Sequence, residues 1–139
     1  MNIQRILSIV SVLLFATSFL LPSVLVEGNK GVIYGQELLF YFALLPLATS
    51  ILFLCSLILS LSKNPGTSLL FSVGSLISGS ALFLFTEVSN MVDSWQIISF
   101  EIGFYLWLGS FVAAVGASLT AFLNQRKEVV TVGTTGQVG

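Results

Sequence analysis

The chain has 139 residues, of which 8% are charged, with a net charge of −1 and a mean hydropathy of +1.02. Soluble domains contain about 25% charged residues, so this composition excludes an ordinary water-soluble domain and predicts a protein whose solvent is lipid. The near-zero net charge argues against nucleic-acid binding. With no histidine and one cysteine, Cys55, the chain lacks the usual groups of metal and acid–base enzymes. We therefore expect no enzymatic activity, no cofactor and no metal.

Charged residues divide the sequence into four long apolar runs. Each run is long enough to cross a hydrocarbon core of about 30 Å as a helix, and none alternates as the strands of a membrane barrel do. The pattern predicts an all-α fold, an integral membrane four-helix transmembrane bundle formed by residues 1–128. The expected helices cover residues 5–26, 38–62, 65–87 and 100–124.

The first run also resembles the start of a cleaved signal peptide, because Arg5 precedes it. The apolar stretch is longer than the usual core of a signal peptide, and Leu20–Glu27 offers no convincing small-x-small cleavage site. We expect the first helix to be retained. Cleavage would leave three spans and would place the new N-terminus outside.

The positive-inside rule sets the expected orientation, because basic residues favour the cytoplasmic side. With a cytoplasmic N-terminus, Lys30 is the basic residue that faces outward. The four that face inward are Arg5, Lys63, Arg126 and Lys127. We expect a multi-pass protein of the cell membrane with both termini in the cytoplasm.

The connections between the runs differ in kind. Residues 62–66 predict a tight turn, since Pro65 suits the first turn of a helix. The Gly-rich residues 27–36 predict an irregular outer loop, and residues 87–100 predict a segment lying in the outer interface. Pro46, inside the second run, predicts a kink, because proline removes a helical hydrogen bond. Its role is either a hinge or, as we prefer, a shape that fits the bundle.

The last segment, Val129–Gly139, is uncharged and rich in Gly and Thr. Because it has no apolar period, we predict a flexible cytoplasmic tail. Addition of a short valine-rich strand to a partner is the alternative.

Small residues recur at helical spacing in the third and fourth runs, which favours close helix packing in lipid. The expected helix-packing interface consists of Gly109, Ala113, Ala117, Ala121, Ser72, Ser75 and Gly79. Packing within the bundle is the simpler interpretation, and contact with another subunit is the alternative. A second row, formed by Ser110, Ala114 and Ser118, runs beside the first on the fourth helix and allows both.

Three carboxylates, Glu37, Glu87 and Glu101, stand at the outer ends of the predicted helices. They form a possible outer acidic cluster that would converge on a cation, since hard cations prefer carboxylate oxygens. Boundary residues in interfacial water are the simpler interpretation. No ionisable residue lies near the middle of a run, which argues against a pump or a proton-coupled transporter.

Aromatic residues cluster towards the expected outer side and predict an interfacial belt. Its members are Tyr34, Tyr41, Trp95, Phe100, Phe104 and Tyr105. Trp107 lies deeper, and its indole N–H is expected to find a protein partner, with a subunit or ligand contact as one possibility.

No family motif is recognised in the chain. We expect a structural or accessory subunit that acts through helix–helix contacts, in a homo-oligomer or a larger membrane complex. Its expected partners are the lipid bilayer and itself or another membrane protein, with no nucleic acid. The alternative is an oligomeric channel or facilitator for a small solute or ion, with a path lined by serines and threonines.

Overall fold

A computed structural model describes residues 2–28, 30–61, 64–89 and 92–138, together with the side chains of all of these except residues 43, 89 and 132–138. Most of the chain is helical. The helices are α1 (Ile3–Ser18), α2 (Gly35–Leu38), α3 (Leu45–Leu61), α4 (Pro65–Ser80) and α5 (Ile102–Val138). Short 3-10 turns cover Phe42–Leu44 and Ala81–Leu84. The strands are β1 (Pro22–Val26), β2 (Val32–Tyr34), β3 (Glu87–Ser89) and β4 (Ser94–Phe100).

Two helical segments are long and apolar enough to cross a membrane. They are Pro65–Leu84, with 20 residues, and Ile102–Thr131, with 30 residues. The other two long helices, α1 and α3, are apolar but have 16 and 17 residues. The structure thus supports two membrane-crossing helices by length and composition, and the four-span arrangement stays a prediction at this point.

The first helix is shorter than expected, because α1 ends at Ser18 and the chain re-enters as strand β1. Pro22 opens this strand, and a proline disfavours helical geometry in the residue before it. Val24 and Val26 are β-branched and suit a strand. The prediction that a helix continues to residue 26 is therefore wrong.

The second long helix begins at Leu45, seven residues later than the predicted residue 38. Pro46 consequently occupies the first turn of α3, where a backbone N–H has no helical partner, and the prediction of a kink is wrong. Before it, Phe42 and Leu44 have positive φ angles of 55° and 65°. This left-handed backbone is unfavourable for bulky side chains and separates α2 from α3.

Helices α4 and α5 differ from the prediction mainly at their ends. Helix α4 begins at Pro65 as expected, whereas Glu87 belongs to strand β3 instead of the helix. Helix α5 begins at Ile102 and has 37 residues, so the segment predicted as a tail is helical up to Val138. Its flexibility stays a prediction. Residues 62 and 63 of the predicted tight turn, and Gly139, lie outside the described residues.

Both outer loops form β-hairpins that join in one antiparallel sheet of order β2-β1-β4-β3. In the central pair, Val24 lies opposite Phe100. Gly28 and Gly31 supply positive φ angles of 94° and 68° in the connection between β1 and β2. The predictions of an irregular first loop and of an all-α fold are therefore wrong, and the interfacial position of the second loop stays a prediction.

The helices pack around α5, which has extensive contacts with α1 and α4 and a smaller one with α3. Helix α3 pairs with α4 as an antiparallel hairpin. Buried apolar side chains fill the centre of the helices and the inner face of the sheet above them. They include Phe53, Phe104, Phe111, Leu82, Val24, Ile33 and Val88.

Candidate functional site

The long helices bury hydroxyl groups and expose large apolar side chains. The buried hydroxyl residues of these helices are Ser11, Ser18, Thr49, Ser50, Ser56, Ser60, Ser68, Ser72, Ser75, Ser110 and Ser118. Exposed apolar residues occur on each of the four, such as Ile9 and Leu13, Ile51 and Ile58, Leu70 and Ile77, Val112 and Leu119. A water-soluble helix shows the opposite distribution.

Three helices meet at Ser68 through hydrogen bonds of its hydroxyl group. Ser68 Oγ, on α4, donates to the carbonyl oxygen of Ser56 on α3 at 2.7 Å. It also lies 2.7 Å from Ser118 Oγ on α5. Because the Ser68 hydrogen is used by Ser56, Ser118 is the donor in the second bond.

Other polar contacts connect the remaining helices. Ser11 Oγ on α1 donates to the carbonyl oxygen of Ser110 on α5 at 2.7 Å. Trp107 Nε1 donates to Ser50 Oγ on α3 at 3.4 Å. The expectation that the Trp107 indole finds a protein partner is confirmed, and the partner belongs to the same chain.

The small residues of α5 lie largely against α1. A Cβ atom at Gly109 would be 3.8 Å from Leu14 Cδ1. Gly116, which directly precedes Ala117 of the small-residue row, lies closer to α1. A Cβ atom at Gly116 would be 3.3 Å from Leu7 Cδ1. In the row itself Ala117 is buried, whereas Ala113 and Ala121 are half-buried. Packing within the chain thus uses part of this row.

The small residues of α4 point inward as well. Ser72 and Ser75 are buried, and their hydroxyls donate to carbonyl oxygens of the preceding turn of α4. Gly79 faces α5, and a Cβ atom there would lie 2.9 Å from Phe111 Cε2. Contact of either row with another subunit stays a prediction.

The three outer carboxylates have separate partners. Glu37 accepts a hydrogen bond from Lys30 Nζ at 3.4 Å, and Glu87 accepts one from Gln96 Nε2 at 2.7 Å. Glu101 accepts one from Ser99 Oγ at 2.7 Å. Glu37 follows edge strand β2 and Glu87 opens the opposite edge strand β3. The described part of the chain contains no group of three His, Cys, Asp or Glu residues that could hold a metal ion.

Lys30 is the basic residue of the hairpin formed by β1 and β2, and the sequence did not predict its environment. Electrostatic attraction to Tyr41, followed by the hydrogen bond with Glu37, raises the pKa of Lys30 above its ordinary value of 10.5. The ion pair with Glu37 therefore stabilises the fold while Lys30 is protonated, below pH 10.5, and this stabilisation is lost as the pH rises through the raised pKa.

The predicted aromatic belt is only partly on the surface. Tyr34 and Tyr105 are exposed, whereas Tyr41 and Phe104 are buried. Tyr41 instead packs edge-on against Trp95 of β4, with ring centres 5.9 Å apart. Part of the expected belt therefore attaches the sheet to the helices.

A continuous column of aromatic rings runs through the helices to the sheet. Successive ring centres are 4.4–5.8 Å apart. In order, its members are Phe15, Phe53, Phe111, Trp107, Phe104 and Phe100. We call this set the aromatic column. The last four residues follow each other at spacings of three or four. Of these, Phe100 and Phe104 were predicted to lie in an interfacial belt and Trp107 deeper, whereas Phe111 was not singled out.

Comparison with known proteins found no match among family models, curated proteins or solved structures. The function is therefore argued from the geometry of this chain.

Proposed function

We propose that this chain is a membrane-embedded structural or accessory subunit. In this proposal α1, α3, α4 and α5 all cross the membrane, and the sheet lies on the outer side. The observation that carries it is the reversed distribution of side chains, with hydroxyls inside and large apolar residues outside on every long helix. A lipid environment makes that distribution favourable, because it removes the cost of exposing apolar side chains to water.

The two shorter helices fit this arrangement with a modest adjustment. At about 1.5 Å per residue, α1 and α3 are about 24 Å and 26 Å long, slightly less than an average hydrocarbon core. A bilayer adapts to a short helix by local thinning, at a fraction of a kcal/mol per Å. Apolar residues beyond the helix ends, such as Leu20 and Leu44, extend the lipid-compatible surface.

The distribution of basic residues supports an orientation with both termini in the cytoplasm of a cell. Lys30 lies in the hairpin of the sheet, whereas Arg5 lies near the start of α1, at the opposite end of the molecule. Arg126 and Lys127 lie in the distal half of α5, on the same side as Arg5. The positive-inside rule assigns that side to the cytoplasm.

The interior favours a structural role over transport. The aromatic column occupies the centre of the helices, and Ser68, Ser118 and Ser11 use their hydroxyls in contacts between helices. The outer faces of the helices remain as apolar surfaces for lipid or for helices of another subunit. The proposal assigns the chain no catalytic role and no nucleic-acid partner.

The channel or facilitator alternative loses one of its supporting features, the convergence of three carboxylates. Its proposed outer mouth required Glu37, Glu87 and Glu101 to converge, and the described residues pair each of them separately. A path for solute would have to form between several chains.

Native mass measurement of the tagged protein, extracted in mild detergent, tests the proposed function. We expect a mass well above the 14.9 kDa of one chain, from either a homo-oligomer or a stoichiometric membrane partner. A single chain with no protein partner would contradict the proposal.

A matched pair of variants tests the predicted contact surface of α5. Ala113, in the small-residue row, is half-buried, and Ala48 on α3 is exposed. If the row contacts another subunit, Ala113→Leu weakens assembly by about tenfold, because a large side chain separates closely packed helices. Ala48→Leu, the same substitution at a lipid-exposed position, leaves assembly unchanged.

A further inference from the structure

An open groove lies between α1 and α3 at the end of the helices away from the sheet, and it continues as an open surface formed by α1 alone. Its first section has a volume of about 440 Å³, and among its lining residues are Asn2, Gln4, Arg5, Ser60 and Leu61. A second section of about 250 Å³ continues along α1 and is lined by Ser8, Ile9, Val12 and Leu13. Helix α1 packs mainly on α5, which leaves the space towards α3 open.

The groove changes in chemistry along its length. At the end away from the sheet it is lined by Asn2, Gln4 and Arg5. Asn2 and Gln4 also line an adjacent pocket that contains Glu128. Gln4 Nε2 donates to the carbonyl oxygen of Ser60 at 3.3 Å, which joins the two walls. Arg5 forms no salt bridge with any described residue. Towards the sheet, the surface is formed by the half-exposed side chains of Ile9 and Val12.

The length of the groove matches one leaflet of a bilayer. From Arg5 to Leu13 the helix rises by about 12 Å, and half of a hydrocarbon core is about 15 Å. A transmembrane helix of a partner would need a surface that extends through both leaflets. A lipid needs a polar, cationic end and an apolar surface about one leaflet long, and the groove with its extension along α1 provides both.

We propose that the groove between α1 and α3 binds an anionic phospholipid of the cytoplasmic leaflet. Its phosphate lies at Arg5 and the carboxamides of Asn2 and Gln4, and an acyl chain follows Ile9, Val12 and Leu13. Basic pockets between membrane helices on the cytoplasmic side recognise anionic headgroups in this way. The proposal rests on the membrane orientation given above.

The test measures lipid retained by the purified protein after exchange into bilayers containing equal amounts of phosphatidylglycerol and phosphatidylcholine. Native mass spectrometry then counts the adducts. We expect selective retention of phosphatidylglycerol, and a loss of about fivefold in Arg5→Gln, because one basic residue is removed from the headgroup site. Arg126→Gln is the control, because Arg126 lies over the Phe122 ring and does not line the groove.

A second variant, Ile9→Trp, tests the apolar section by filling it, and we expect it to lose the lipid while keeping the helical circular dichroism of the parent. Equal retention of the two lipids, or equal loss in Arg5→Gln and Arg126→Gln, would overturn the proposal, as would a protein segment cross-linked to position 9.

The same mass spectra also report the number of protein chains in each particle. Selective retention of phosphatidylglycerol by a single chain would support the lipid site and reject the subunit function. An oligomer that retains no lipid selectively would support the subunit function and reject the lipid site.

Discussion

Gly79 and Gly74 lie on the same helix, and their surroundings differ. A Cβ atom at Gly79 would lie 2.9 Å from Phe111 Cε2 and 3.0 Å from Leu108 Cδ2, whereas nothing lies within 4 Å of one at Gly74. Phe111 is fully buried in the aromatic column, so its ring cannot move aside without disturbing its neighbours.

We predict opposite effects of alanine at these two positions. Gly79→Ala should lower the free energy of unfolding by about 1–3 kcal/mol through overpacking. Gly74→Ala should raise it by up to about 1 kcal/mol, because alanine favours the helix and fills open space. Unfolding in detergent micelles, followed by tryptophan fluorescence, measures both. Similar effects of the two substitutions would contradict the close contact of α4 with α5.

A second prediction for a single residue concerns the hydroxyl group of Ser68. Ser68→Ala removes the donor to Ser56 and leaves Ser118 without its acceptor, so we expect the free energy of unfolding to fall by about 1 kcal/mol. Ser75→Ala is the control, because Ser75 is equally buried but donates only to a carbonyl of its own helix. The same micelle unfolding measures both variants, and an equal or larger loss in Ser75→Ala would show that contacts between helices are not what matters.

At the scale of single elements, the two prolines within apolar runs explain most of the errors of the sequence analysis. Pro22 and Pro46 were both counted inside continuous helices, because the runs around them contain no charge. In the structure Pro22 begins a strand and Pro46 lies in the first turn of a helix. A run of apolar residues indicates burial or lipid contact, and it does not indicate which backbone geometry the chain adopts.

The strands left signals that a rule based on charge alone cannot detect. Ser94–Phe100 alternates exposed with half-buried residues over its first five positions, as expected for a strand covered on one face. The short strands β2 and β3 have three residues each and gain their stability from neighbouring strands. Pairing partners distant in sequence are not visible in a local pattern.

Where a chemical signal set a boundary, the sequence analysis succeeded. Pro65 was placed in the first turn of a helix, and α4 begins there. The apolar run after Glu101 predicted a helix starting within two residues of Ile102. The C-terminal end of α5 was predicted at residue 124, whereas the helix continues to Val138. The reason is that Val, Thr and Gly are poor helix formers and the segment beyond Lys127 contains many of them.

The candidate functional site was also predictable only where the signal is local in the sequence. The sequence located the small and hydroxyl residues of α4 and α5, because their spacing is a local property. It could not specify that Gly109 faces Leu14 or that Gly79 faces Phe111, because each contact depends on the rotation of two helices. The sequence could not specify the acidic cluster for a related reason. Equal depth along a bundle does not determine which strand each carboxylate adjoins, and Glu37 and Glu87 adjoin opposite edge strands of the sheet.

At the scale of the whole molecule, the central strand pair joins the two outer hairpins. We predict that Leu25→Cys and Ser99→Cys, introduced together in a Cys55→Ser background, form a disulfide under mild oxidation, because these residues are paired across β1 and β4. Leu25→Cys with Ser94→Cys is the control, since five residues along a strand add about 17 Å. Gel mobility with and without reductant measures the bond. Cross-linking only in the control pair would exclude this register.

The pairing of β1 with β4 has a consequence for the order of synthesis. The ribosome completes β1 soon after α1, and β2 follows directly. The second partner of β1, strand β4, is made only after α3, α4 and β3. Until then, the edge of β1 that pairs with β4 has open backbone N–H and C=O groups, to which another strand can bind. A chain truncated before β4 therefore exposes an unpaired strand edge.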